Sequence, residues 1–136
     1  MIESLFSSTA IPVMEHVAQF AQARHEVLAG NVANIDTPGY RTRDLSVDQF
    51  QGRLKRAISE RDKSPGHTDL MSATQRNGSF SDVKEGLNAI LHHDDSNVGV
   101  EQQVTEMVKN QQQHNLAMSV LTNQFRLLQV AISERA

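Results

Sequence analysis

The sequence predicts a mainly α-helical chain, with a long helix towards each end and a largely irregular middle segment. Three observations carry that prediction: an apolar stripe near the start, an explicit stop after it, and a heptad-like stripe over the last third. Within a single domain over residues 1–136, this assigns 11–40 to the N-terminal helix and its exit. It assigns 41–95 to a variable middle and 96–136 to a C-terminal coiled-coil helix.

The first helical zone runs from about Ile11 to Ile35. Pro12 suits a first turn, where its missing N–H costs nothing. Met14, Val17, Ala21, Leu28, Val32 and Ile35 then recur at helical spacing, and Ala18, Phe20 and Val27 widen the stripe. Gly30 weakens the helix by about 1 kcal/mol relative to Ala and leaves room for close approach of another helix. Asp36-Thr37-Pro38-Gly39 ends it, because Pro38 removes a donor and Pro-Gly suits the centre of a turn.

The middle is less patterned. Val47, Phe50, Leu54 and Ile58 are spaced for a short amphipathic helix. Lys63-Ser64-Pro65-Gly66 and Asn77-Gly78-Ser79 read as loop or turn, and Leu87, Ile90 and Leu91 as the seed of one more helical turn.

From Val100 onward, Val104, Met107, Gln111, His114, Met118, Leu121, Phe125, Leu128 and Ile132 alternate at steps of three and four. That period of 3.5, with only Gln111 and His114 polar, is the pattern of a helix supercoiling against one or more partners. Asp94, Asp95, Ser96 and Asn97 supply candidate caps before its first turn. At 1.5 Å per residue the helix is about 50 Å long. The N-terminal helix is shorter, so part of the stripe must be covered by other molecules.

Composition narrows the function. Hydrophobic residues make up 38% of the chain, aromatics only 4%, and Trp is absent, so a self-sufficient globular core is not expected. A net charge of -3 argues against nucleic acid as the partner. The basic stretch from Arg41 through Arg53, Lys55 and Arg56 to Lys63 is interleaved with Asp44, Asp48, Glu60 and Asp62, which favours a solvated surface. With no cysteine, disulfides, thiolate nucleophiles and Cys-ligated zinc are excluded. No apolar run of about 20 residues is present to span a membrane. Met1-Ile2-Glu3-Ser4-Leu5-Phe6 lacks the basic start and apolar stretch of a cleaved secretory signal.

Candidate chemistry is sparse. His92-His93-Asp94-Asp95 sets metal-ligand types side by side, but adjacent residues point apart and no second group follows at helical spacing. A helix-leading loop with capping acids is the favoured reading. His114 lies in the apolar stripe and reads as a packed layer rather than a catalytic base. Nucleophile motifs and Gly-rich phosphate loops are absent. The expectation is therefore no enzyme, no cofactor, no metal and no small-molecule substrate.

One segment is specific: Leu28-Ala29-Gly30-Asn31-Val32-Ala33-Asn34-Ile35-Asp36-Thr37-Pro38-Gly39-Tyr40. Asn31 and Asn34 lie three apart on one helix face, where their amides meet exposed carbonyls or a neighbouring chain. Tyr40 packs a ring and keeps a polar tip. The string Ala33-Asn34-Ile35-Asp36-Thr37-Pro38-Gly39-Tyr40, preceded by Asn31, resembles the signature of the flagellar rod, hook and hook-associated axial protein family. Asp95-Ser96-Asn97-Val98-Gly99-Val100-Glu101, with Glu106, Met107 and Asn110 beyond it, resembles the opening of the C-terminal helix in the short proximal rod members. Ser96 and Gly99 depart from that second motif, and His114 stands where Tyr is common. The resemblance covers about residues 11–44 and 94–134, and the longer distal rod and hook members would need an extra domain.

The resemblance implies a non-enzymatic structural subunit of the basal-body rod. Its terminal helices pair as a coiled coil, and copies stack in an open-ended helical tube that transmits torque and continues the export channel. It implies partners among copies of itself and other rod proteins, and contact with the rod-to-membrane-ring junction protein and the export gate. It also implies a place in the rod crossing the periplasm, reached through the flagellar type III apparatus without signal cleavage. The assembly motif would be Asn31, Ala33, Asn34, Thr37, Pro38, Gly39 and Tyr40, and the seam Val104, Met107, Met118, Leu121, Phe125, Leu128 and Ile132. Two rivals differ in class: a coiled-coil adaptor or chaperone, and a small hydrolase using His92, His93 and Asp94 with a metal.

Overall fold

The computed structural model describes residues 9–62, 91–93 and 99–133. Helix α1 spans Ile11–Ala33, strand β1 Arg43–Leu45 and helix α2 Val47–Asp62. Strand β2 spans Leu91–His93 and helix α3 Val100–Ser133. The expected caps at Asp94–Asn97, the loops at 63–66 and 77–79, and Leu87 and Ile90 lie outside the described residues.

Helix α1 is the centre of the fold and packs on two sides. Its start has Pro12 in the first turn, where no backbone donor is lost. One side turns towards α2 through Phe20, which stacks on Phe50 with ring centroids 4.0 Å apart and planes 9° from parallel. Leu45 and Ala57 complete that buried cluster, and Val17, Ala23, Val27, Val47 and Leu54 pack around it. Such a stacked pair is worth about 0.5–1.5 kcal/mol beyond its burial. Helix α2 starts at Ser46, whose hydroxyl accepts the Gln49 N–H at 3.3 Å. That N-cap directs Val47, Phe50, Leu54 and Ile58 onto one face, as their spacing predicts.

The other side of α1 takes α3. The two helices run antiparallel, because stepping from Ala21 through Arg24 to Asn31 on α1 runs back from Asn110 through Glu106 to Gln103 on α3. The chain is thus mainly helical, with its long terminal helices packed together. Residues 91–93, expected as helix seed and helix-leading loop, instead form an antiparallel strand pairing Leu91 with Leu45, His92 with Asp44 and His93 with Arg43. Among the described residues Gly30 is no close-approach point: a Cβ there would meet none of them within 4 Å.

Candidate assembly site

The end of α1 is organised by Asn31, which is 0% exposed. Its Nδ2 donates to the Arg43 carbonyl at 2.5 Å and to Gln103 Oε1 at 3.1 Å. Its Oδ1 accepts the Arg43 N–H at 3.0 Å and the Tyr40 hydroxyl at 3.2 Å. One amide therefore satisfies both of its donors and accepts twice, joining α1, the turn, β1 and α3. A buried amide is tolerated only when paired in this way.

Between Asn31 and Tyr40 the backbone closes a tight exit. Asn34 donates its side-chain N–H to the Gly30 carbonyl at 2.8 Å and its backbone N–H to Gly30 and Asn31. The Tyr40 N–H then bonds the Thr37 carbonyl at 3.1 Å, spanning a turn with Pro38 and Gly39 at its centre. Gly39 sits at φ +77°, which the third position of a type II turn requires and L side chains rarely adopt. The turn brings the Tyr40 hydroxyl back to Asn31.

One helical turn before Leu28, Arg24 is buried, with 7% of its side chain exposed. It donates to both carboxylate oxygens of Asp44, at 2.8 and 2.6 Å, and to Glu106 at 3.1 Å. Hydrogen bonding to Asp44, against the opposing effect of burial, raises the Arg24 pKa and keeps the group charged. The Glu106 carboxyl is held below its ordinary value, first by the hydrogen bond from Lys109 at 2.8 Å, then against burial by Arg24. A last polar contact lies deeper: Asn110 donates to the Ala21 carbonyl at 2.6 Å, while its buried Oδ1 has no hydrogen-bond partner.

On α3 the buried residues are Gln103, Asn110 and Ala117, seven apart. The row Met107, His114, Leu121 and Leu128 is half-buried beside them. The other row of the predicted seam, Val104, Gln111, Met118, Phe125 and Ile132, is exposed. Helix α3 is thus rotated by about one residue from its apolar stripe, because Gln103 and Asn110 find partners on α1 and Ala117 is small. From Phe125 to Ser133 only Leu128 is other than exposed. The exposed large apolar side chains of the described residues, among them Val104, Leu116, Met118, Phe125, Leu127 and Ile132, all lie on α3.

Of the motif residues, Asn31 is buried and Tyr40 half-buried at the hub, whereas Ala33, Asn34, Thr37, Pro38 and Gly39 are exposed around the exit. Asp44, expected on a solvated surface, instead holds the buried Arg24 with both carboxylate oxygens, and Arg24 and Gln103 are buried although no expectation falls on them. A usable signal existed for two of the hub residues. Arg24 and Asn31 fill the missing steps of the stripe Met14, Val17, Ala21, Leu28, Ile35, so both had to face inward.

Among the described residues no three His, Asp or Glu side chains stand close enough to hold a metal ion. A depression of about 380 Å³ is lined by Gln49, Gly52, Arg53 and Arg56, without an acid or nucleophile. No described helix is long and apolar enough to cross a membrane.

Comparison with known proteins bears on the same segment. Residues 18–41 match the model of the family described as flagella basal body rod protein, which covers α1 from Ala18 onward, the exit and Tyr40. The chain is 27% identical to the flagellar basal body rod protein FlgB of Bacillus subtilis, over 96% of this chain and 97% of that protein. It is 26% identical to FlgB of Escherichia coli, over 86% and 88% of the two chains. For FlgB of Aquifex aeolicus the identity is 29%, over 86% and 87%. A signature match at the buried hub is thus joined to similarity, along almost the whole length, to the FlgB-type flagellar basal-body rod proteins.

Proposed function

We propose that this chain is a structural subunit of the bacterial flagellar basal-body rod, of the proximal type, with no catalytic role. One observation supports this most: the rod-family exit motif fastens a long helix whose apolar row at Val104, Met118, Phe125 and Ile132 is left exposed. Exposed rows of that kind are interaction surfaces rather than solvated faces, and a 3.5-residue period fits them to other helices. Neighbouring rod subunits cover the row, and the exposed exit residues Ala33, Asn34, Thr37, Pro38 and Gly39 meet the same neighbours. In the finished tube the subunit transmits torque, lines the path of export and supports motility. Its finer partners are the rod-to-membrane-ring junction protein and the export gate, and its route is the flagellar type III apparatus without signal cleavage.

The test uses cells lacking the gene for this chain, complemented with wild type, with Phe125→Asp or with a copy lacking residues 118–136. Wild type should restore rods in basal-body images and swimming, and neither altered copy should. Swimming cells with intact rods in the uncomplemented deletion would refute the proposal and favour an adaptor.

A further inference from the structure

We propose that the buried polar contacts between α1 and α3, above all those of Gln103 and Asn110, fix the register in which the two helices pair. The inference is independent of the rod reading. It starts from a degeneracy in the apolar pattern. On α3, Met107, His114, Leu121 and Leu128 repeat every seven residues, as do Met14, Ala21 and Leu28 on α1. Helix α3 has 34 residues against 23 in α1, a surplus of 11, longer than one heptad. Sliding α3 by seven residues towards its own N-terminus would still leave α1 covered from end to end. The slide would also bring Leu128, now at the exposed end, into the seam. Apolar burial alone therefore does not select the observed pairing.

The polar groups do select it. In the slid register Asn110 would face Leu28 instead of the Ala21 carbonyl, and Asn31 would lose Gln103. Arg24 would stand level with His114 rather than Glu106, leaving a buried cation short of a carboxylate. Each loss strands a desolvated polar group, which is how a buried amide excludes alternatives. The unpartnered Asn110 Oδ1 points the same way. An unsatisfied buried acceptor costs stability, and such a cost fits a residue that serves register.

The chain has no cysteine, so Glu15→Cys and Gln102→Cys introduce the sole thiols, both at exposed positions. Spin labels on these two sites should give one distance in the otherwise unchanged full-length chain. With Gln103→Leu and Asn110→Leu added, a second population should appear. It should be longer by up to about 10 Å, seven residues at 1.5 Å each, and the melting temperature should be unchanged or higher. Met107→Ala serves as the comparison, with a lower melting temperature and a single unshifted distance. An unshifted single distance in the double-leucine chain would overturn the proposal. So would loss of its helical signal, which would make the two side chains stabilising rather than selective, or a second population in Met107→Ala.

Discussion

Asn31 joins more elements than any other described side chain, and its chemistry sets the scale of the consequences. Asn31→Ala removes four hydrogen bonds and leaves the Arg43 N–H and the Gln103 amide without that partner in a largely buried site. The expected cost is about 2–4 kcal/mol, read as a lower midpoint in chemical denaturation. Asn34→Ala loses an exposed bond to Gly30 and should cost about 1 kcal/mol or less. The same difference separates Gly39 from its neighbours: Gly39→Ala forces a side chain to φ +77°, at about 1 kcal/mol. The charged contact has its own signature in pH. Because the Glu106 carboxyl is lowered when folded, its contribution is complete above its ordinary value near 4.5 and is lost as pH falls through the lowered one. The melting temperature should hold from pH 7 to about 5, then fall with acid. In Glu106→Gln part of that fall should disappear, and an identical acid profile would show that Glu106 does not contribute.

At the scale of elements, periodicity revealed the helices and the inward faces of α1 and α2, but not the buried face of α3. The stripe from Met14 to Ile35 and the stop at Pro38-Gly39 located α1 to within two residues at its end, since a helix cannot run on through that dipeptide. The spacing of Val47 to Ile58 likewise found α2. Helix α3 has the expected length, but its buried row is Gln103, Asn110 and Ala117 rather than the more apolar Val104, Met118 and Phe125. Hydropathy counts polar residues against burial, and only a partner's carbonyl or amide, visible in three dimensions, reverses that count. Strand β2 was illegible for another reason: Leu91-His92-His93 has no alternation of its own and is strand because β1 lies beside it. The packing of α2 on α1 rests chiefly on one stacked ring pair. Phe50→Ala should therefore cost about 3–5 kcal/mol and shift the denaturation midpoint, whereas Leu54→Ala, half-buried at the cluster edge, should cost less.

For the whole molecule, the unevenness of burial matters most. Helix α1 is covered on two sides, while α3 keeps a row of large apolar residues in water, with Phe125 50% and Ile132 73% exposed. A monomer gains nothing from such a row, so its stability should be insensitive to it. Phe125→Asp should alter the free subunit's unfolding free energy by about 0.5 kcal/mol or less, while abolishing incorporation into rods. Leu121→Asp, at a half-buried position, should harm both. On the proposed reading the fold divides its labour: polar contacts set how α3 lies on α1, and the exposed apolar row beside them meets other chains. The most direct test places a photo-reactive amino acid at Phe125 in cells and irradiates isolated basal bodies. Adducts between this chain and rod subunits are the predicted result. Basal bodies that contain the chain but yield no adduct from Phe125, while a probe at the buried Ala21 reacts within the chain, would contradict the account.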